Sequence, residues 1–178
     1  DIGDQYDASK PITISQFVID DYHGQNRLLT VPEILIHSSN IGTAKMAMDV
    51  GAKKQKYYLD QLGLLQNSGV ELAEVGQPQY PNRWSDISTM TISYGYGVSV
   101  SPLQLANAVA SLVNGGRRMS VSLLKHQSKE PPVGVRVISE KTSKQMRDLM
   151  HLVVTNGTGR NAAVPGYQIG GKTGTAEK

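Results

Sequence analysis

Residues 166–178 read GYQIGGKTGTAEK, and two incompatible folds can be argued from them. Gly166 to Thr173 satisfies G-x-x-x-x-G-K-[ST], the pattern of a phosphate-binding loop, at every required position. That mechanism needs a buried strand before the loop and a helix after it, whose amino end meets the phosphates. Ala163-Val164-Pro165 precede the pattern and five residues follow Thr173. No apolar strand ending in Asp supplies a magnesium ligand, so the nucleotide reading is set aside. The alternative places Lys172-Thr173-Gly174-Thr175 on a strand. There a cation, two hydroxyls and approachable backbone N–H groups share one edge, which suits a carboxylate-bearing acyl substrate and a developing oxyanion.

Composition narrows the choice. The chain has 178 residues, 39% of them hydrophobic, enough for a globular core without staples. Eighteen Lys+Arg against fifteen Asp+Glu give +3, with no long basic run, which argues against nucleic acid as a partner. The absence of cysteine excludes disulfide scaffolds, thiol nucleophiles and thiolate-held metals. No apolar stretch approaches the ~18–20 residues of a membrane span, and residues 1–15 lack the order of a signal peptide. His23, His37, His126 and His151 show no metal-ligand spacing, so neither a metal nor a cofactor is expected.

Four helices are punctuated in the sequence. Thr30-Val31-Pro32-Glu33 is a capping box with proline in the first turn, opening a helix to about His37. Asn40 is expected to cap a second helix that Gly51 stops. Ser101-Pro102-Leu103-Gln104 is another capping box, and Asn114-Gly115-Gly116 closes its helix. A fourth begins near Ser139, with Met146, Leu149, Met150, Val153 and Val154 at core-facing spacing, and ends at Asn156-Gly157. Residues 53–62 suggest a further helix; residues 12–19, 119–124 and 133–138 alternate like strands, and residues 63–85 read as a long loop. The whole is expected to be one mixed domain.

Lys-Thr-Gly belongs with Ser-x-x-Lys and a Ser-x-Asn triplet in one acyl-transfer signature. Ser38-Ser39-Asn40 supplies the triplet 134 positions before Lys172, in the expected order. Alone, the triplet is a helix cap and Lys172–Thr175 an exposed turn. Their surroundings raise them above chance. LTVPEILIHSSNIGTAKMAMDVG (29–51), ISYGYGVSVSPLQLANAVASLVNGG (92–116) and GTGRNAAVPGYQIGGKTGTAEK (157–178) closely resemble the transpeptidase domain of class B penicillin-binding proteins, nearest the cell-division type. The resemblance runs from about Asp20 to Lys178.

The resemblance implies an α/β (α+β) fold like that of serine β-lactamases, an antiparallel sheet flanked by helices, incomplete here. It implies a peptidoglycan D,D-transpeptidase that cross-links stem peptides ending in D-Ala-D-Ala by serine acyl transfer and is acylated by β-lactams. Ser38 would join the proton-shuttle network and Asn40 would bind the substrate amide. Lys172 would turn its charge toward the substrate carboxylate and Ser38. Thr173, Gly174 and Thr175 would line the substrate strand, Thr175 N–H giving half of the oxyanion hole. Division-complex proteins are expected partners, and the periplasmic face of the inner membrane the location, with the anchor outside this chain. One element departs from the pattern: no Ser-x-x-Lys precedes Ser38, and Ser122-Leu123-Leu124-Lys125 comes too late and starts no helix. Residues 1–178 are therefore expected to be part of the domain, lacking the nucleophile helix and the strands after Lys-Thr-Gly, and inactive alone. An unpaired edge along 166–175 would favour self-association. A catalytically silent module that binds a cell-wall ligand or a division partner is the alternative. A serine β-lactamase is disfavoured because no deacylating Glu motif is evident.

Overall fold

A computed structural model describes residues 1–125 and 132–174. It is mixed α/β, with six α-helices and three two-stranded antiparallel sheets among the described residues. The chain divides into two compact units, one of residues 1–52, 83–96 and 147–178, the other of residues 53–82 and 97–146.

The first unit opens with β1 (Gln5–Asp7), β2 (Ile12–Ile14), β3 (Phe17–Ile19) and β4 (Leu28–Thr30). The run 12–19 is a hairpin, not one strand: Ser15 takes a positive φ of 53°, and Ile12 pairs with Ile19, Ile14 with Phe17. β1 pairs with β4, Tyr6 opposite Leu29. Leu29 delivers the chain into α1 (Val31–His37) and is fully buried with Ala8, Ile34 and Ile41. The capping box is complete. Thr30 Oγ1 accepts the Glu33 N–H at 3.4 Å, and the Glu33 carboxylate accepts from Thr30 N–H and Oγ1, both at 2.9 Å. Arg27 adds an ion pair at 2.9 Å.

Arg27, with the Thr30 N–H and hydroxyl behind it, holds Glu33 down to about 2 from an ordinary value of 4.5. A depressed carboxyl stabilises the fold fully above its unfolded value and loses that contribution as pH falls through the folded one. The side chain is 33% exposed, so E33Q is expected to cost only about 1 kcal/mol at pH 7. Urea midpoints should show the gap to wild type closing between pH 4.5 and about 2. A gap that ignores pH would refute this account.

α2 (Asn40–Val50) follows, but its cap is Ser39 and not Asn40 as expected from the sequence. Ser38 ends α1 in the left-handed region, φ 56° and ψ 45°, which leaves Ser39 extended with Oγ accepting the Gly42 N–H at 2.9 Å. The helices cross closely at Gly42, where a Cβ would stand 2.6 Å from Ile34 Cγ1. α4 (Asp86–Ser93) was not anticipated; Ser85 caps it, and Met90 packs on Ile19 and Ala44. Tyr94 packs against that same cluster.

In the second unit α3 (Ala52–Gln61) and α5 (Pro102–Val113) form as expected, α5 with both halves of the Ser101–Gln104 box made. Buried Gln104 reaches from α5 into the 63–85 loop, donating to Gln66 O at 2.6 Å. β5 (Arg117–Arg118) pairs with β6 (Val135–Arg136). The strand expected at 119–124 does not form. Glu71 accepts from Ser122 Oγ at 2.6 Å and Leu123 N–H at 2.9 Å, and Leu124 N–H turns to Ser122 Oγ at 3.0 Å, so these donors are unavailable to a ladder. The Ser122–Lys125 tetrad therefore opens no helix.

α6 (Glu140–Asn156) is the longest helix, capped by Ser139, with Leu149, Val153 and Val154 buried as its spacing requires. Beyond it, residues 166–174 form no β-ladder among the described residues; Gly171 N–H bonds Met150 O at 3.1 Å instead. The strand expected there does not form among the described residues; Gly171 N–H and Ile169 O meet α6 at Met150 O and His151 Nδ1. His126, Pro131 and Thr175 lie outside the described residues.

Candidate active site

Ser38 and Lys172 meet. The ammonium donates to Ser38 Oγ at 2.7 Å and to Thr173 O at 3.1 Å. Both residues belong to the first unit. Ser38 occupies the hinge between α1 and α2 in a conformation that few residues other than glycine adopt. Such backbone strain persists where the surroundings over-determine it, and it concentrates at functional sites.

The surroundings do so here through Asp21, which sequence reasoning missed. Its carboxylate accepts from Ser39 Oγ at 2.7 Å and from Ile41 N–H at 2.9 Å. Next to it, Asn40 Nδ2 donates to Asp20 O at 3.0 Å. The Asp20-Asp21 pair thus grips the serine turn from both sides. Only the run of acceptors after the hairpin hinted at this, and nothing in the sequence says which turn they face.

The lysine half hangs on the carboxyl end of α6. His151 Nδ1 lies 2.8 Å from Ile169 O, and Gly171 N–H bonds Met150 O. A Cβ on Gly170 would press on His151 N at 3.2 Å, so glycine permits the segment to lie against the helix backbone. Thr173 Oγ1 is 2.9 Å from Thr158 Oγ1. Desolvation pushes the Lys172 pKa below the ordinary 10.5.

An ammonium can only donate, so Ser38 Oγ accepts from it and keeps its own proton for another partner. The pair can thus relay a proton through the hydroxyl while the cation offers charge to an anionic ligand. Of the residues expected from the sequence, the structure brings together Ser38, Lys172 and Thr173; Asn40 is turned to Asp20 O, and Gly174 continues the exposed segment. His151 braces the lysine segment, and no three His, Asp or Glu side chains converge on a metal-like position among the described residues.

A Ser-x-Asn turn facing a Lys-Thr-Gly segment on a mixed α/β frame is the pairing that the acyl-transfer signature joins in sequence. The family description "penicillin binding protein transpeptidase domain" matches residues 3–178, and the chain belongs to that family, in its class B, FtsI-like branch. It is 40% identical over 176 residues to the probable peptidoglycan D,D-transpeptidase FtsI of Caulobacter vibrioides, covering 97% of this chain and 30% of the relative. It is 38% identical over 154 residues to the peptidoglycan D,D-transpeptidase FtsI of Escherichia coli, covering 84% of this chain and 26% of that one. The apo transpeptidase domain of Burkholderia pseudomallei penicillin-binding protein 3 superposes with a TM-score of 0.91 at 35% identity, over 99% of this chain and 54% of that structure. The chain thus spans less than a third of these two relatives' length.

Proposed function

We propose that this chain contributes the Ser-x-Asn and Lys-Thr-Gly half of the active site of a peptidoglycan D,D-transpeptidase. The observation that carries the reading is the 2.7 Å contact from Lys172 Nζ to Ser38 Oγ, across 134 residues. No Ser-x-x-Lys opens a helix in the described residues, so the nucleophile is drawn from another segment of the parent protein, which together with this chain makes one transpeptidase domain. In the proposed reaction that serine attacks the carbonyl between the two terminal D-alanines of a stem peptide. An ester forms, the C–N bond breaks, and D-alanine departs carrying the proton relayed through Ser38. An amine of a second stem peptide then attacks the ester and restores the serine. Lys172 faces the terminal carboxylate, Asn40, whose Nδ2 is bonded to Asp20 O, turns its Oδ1 to the peptide amide N–H, and Thr173 with Gly174 faces the extended substrate backbone; Thr175 N–H would complete the oxyanion hole. β-Lactams acylate the same serine. Location on the periplasmic face of the inner membrane and contact with division-complex proteins belong to the same reading.

The test is covalent labelling. The parent protein treated with a fluorescent penicillin should give an adduct that survives denaturation and disappears when the Ser-x-x-Lys serine is changed to alanine. A folded parent that takes no label would transfer the lead to the silent binding module.

A further inference from the structure

The Ser38–Lys172 contact joins two segments remote in sequence, and something must hold them at hydrogen-bond distance. We infer that the loop Gly157-Thr158-Gly159 is that clamp, with Thr158 a positioning residue for the Lys-Thr-Gly segment. The inference rests on the transpeptidase reading and adds to it a residue with no role in the chemistry itself.

Thr158 touches both halves. Its backbone N–H donates to Ile36 O at 3.3 Å, a carbonyl in the last turn of α1, two residues before Ser38. Carbonyls in that turn have no partner within the helix and need one from outside. Its hydroxyl meets Thr173 Oγ1 at 2.9 Å, one residue after Lys172. A single residue therefore ties the serine helix to the lysine segment.

The flanking glycines make the approach feasible. A Cβ on Gly157 would lie 2.6 Å from Ile36 O and 2.9 Å from Val153 O, closer than carbon tolerates against either carbonyl. Gly157 and Gly159 N–H both return to Val153 O, at 3.1 and 3.0 Å, which anchors the loop to the buried end of α6. Arg160 Nη2 donates to Asn156 O at 3.1 Å and braces the same turn. Thr158 itself is exposed, so its hydroxyl contributes little to the core. What it does is orient Thr173, and through Thr173 the carbonyl on which Lys172 also leans at 3.1 Å. Were this hydroxyl only a solvated surface group, its loss would move neither Thr173 nor the lysine.

The test uses the intact parent protein. T158V keeps the shape and removes the hydrogen bond, and T158S keeps the hydroxyl. Acylation by the fluorescent penicillin is measured per folded molecule, with melting temperature read alongside. T158V is expected to slow acylation about tenfold, the effect of one lost hydrogen bond, while its melting temperature stays within about 2 °C of wild type. T158S is expected to return acylation to within about twofold of wild type. Wild-type acylation in T158V, or equal slowing in T158V and T158S, overturns the inference. So does a melting temperature that falls in T158V well beyond that margin, which would make Thr158 a structural residue. An unlabelled wild-type parent is a separate result, which defeats the transpeptidase reading on which the inference stands.

Discussion

Replacing Lys172 with methionine in the intact protein is expected to lower its acylation rate by penicillin about 10²–10³-fold, the scale of losing one preorganised charge-stabilising donor. Methionine keeps much of the stem and removes the cation. Ser38 Oγ then loses its 2.7 Å donor and Thr173 O its 3.1 Å donor, and the cation proposed to face the ligand carboxylate is gone. The desolvation that lowers the Lys172 pKa sets the direction of two further effects. A depressed base gives up its proton earlier as pH rises, so the alkaline limb of wild-type acylation begins below the ordinary lysine value of 10.5. The native state also binds that proton less readily than the unfolded chain, so this charge opposes folding at neutral pH, and the penalty is relieved as pH rises from the folded value to the ordinary 10.5. K172M is therefore expected to melt no lower than wild type while losing activity, the trade expected of a functional group held at a cost in stability. Wild-type acylation in K172M would remove Lys172 from the mechanism.

What the sequence shows depends on how local the physics is. The Thr30–Glu33 and Ser101–Gln104 boxes are readable because donor, acceptor and helix start lie within four residues of one another. Ser39 and Asn40 are both good caps, and the choice between them depends on Ser38 entering the left-handed region, which tertiary contacts decide, Asp21 at Ser39 and Ile41 among them. α4 was missed for a related reason. Ile87, Thr89, Thr91 and Ile92 favour strands by intrinsic propensity, and Met90 packing on Ala44 and Ile19 overrides them. The site pair was legible only through its resemblance to a family, since no spacing rule says that position 38 meets position 172. Asp21 and Thr158 were not legible at all. Each acts through a contact whose partner lies at least 15 positions away, and neither residue type at its position announces one.

Of these hidden contacts, Asp21 should have the larger effect on stability. D21A is expected to cost about 2–3 kcal/mol, since it removes an acceptor with two donors on a charged group. Ser39 is 2% exposed, and its hydroxyl cannot turn to solvent when the carboxylate goes. The Ile41 N–H, in the first turn of α2, loses its partner as well. For a domain of this size that corresponds to a fall in melting temperature of about 5–10 °C. D21N separates charge from shape: its carbonyl oxygen can still accept from Ile41, and its amide can donate to Ser39 Oγ once that hydroxyl reverses. It should keep most of the stability that D21A loses. Acylation should follow the same order, because Ser38 stays in its strained conformation only while Ser39 and Ile41 are pinned beside it. If D21A melts with wild type, the strain at Ser38 is held by the α1–α2 packing at Gly42 alone. Asp21 would then be a bystander to the turn it touches.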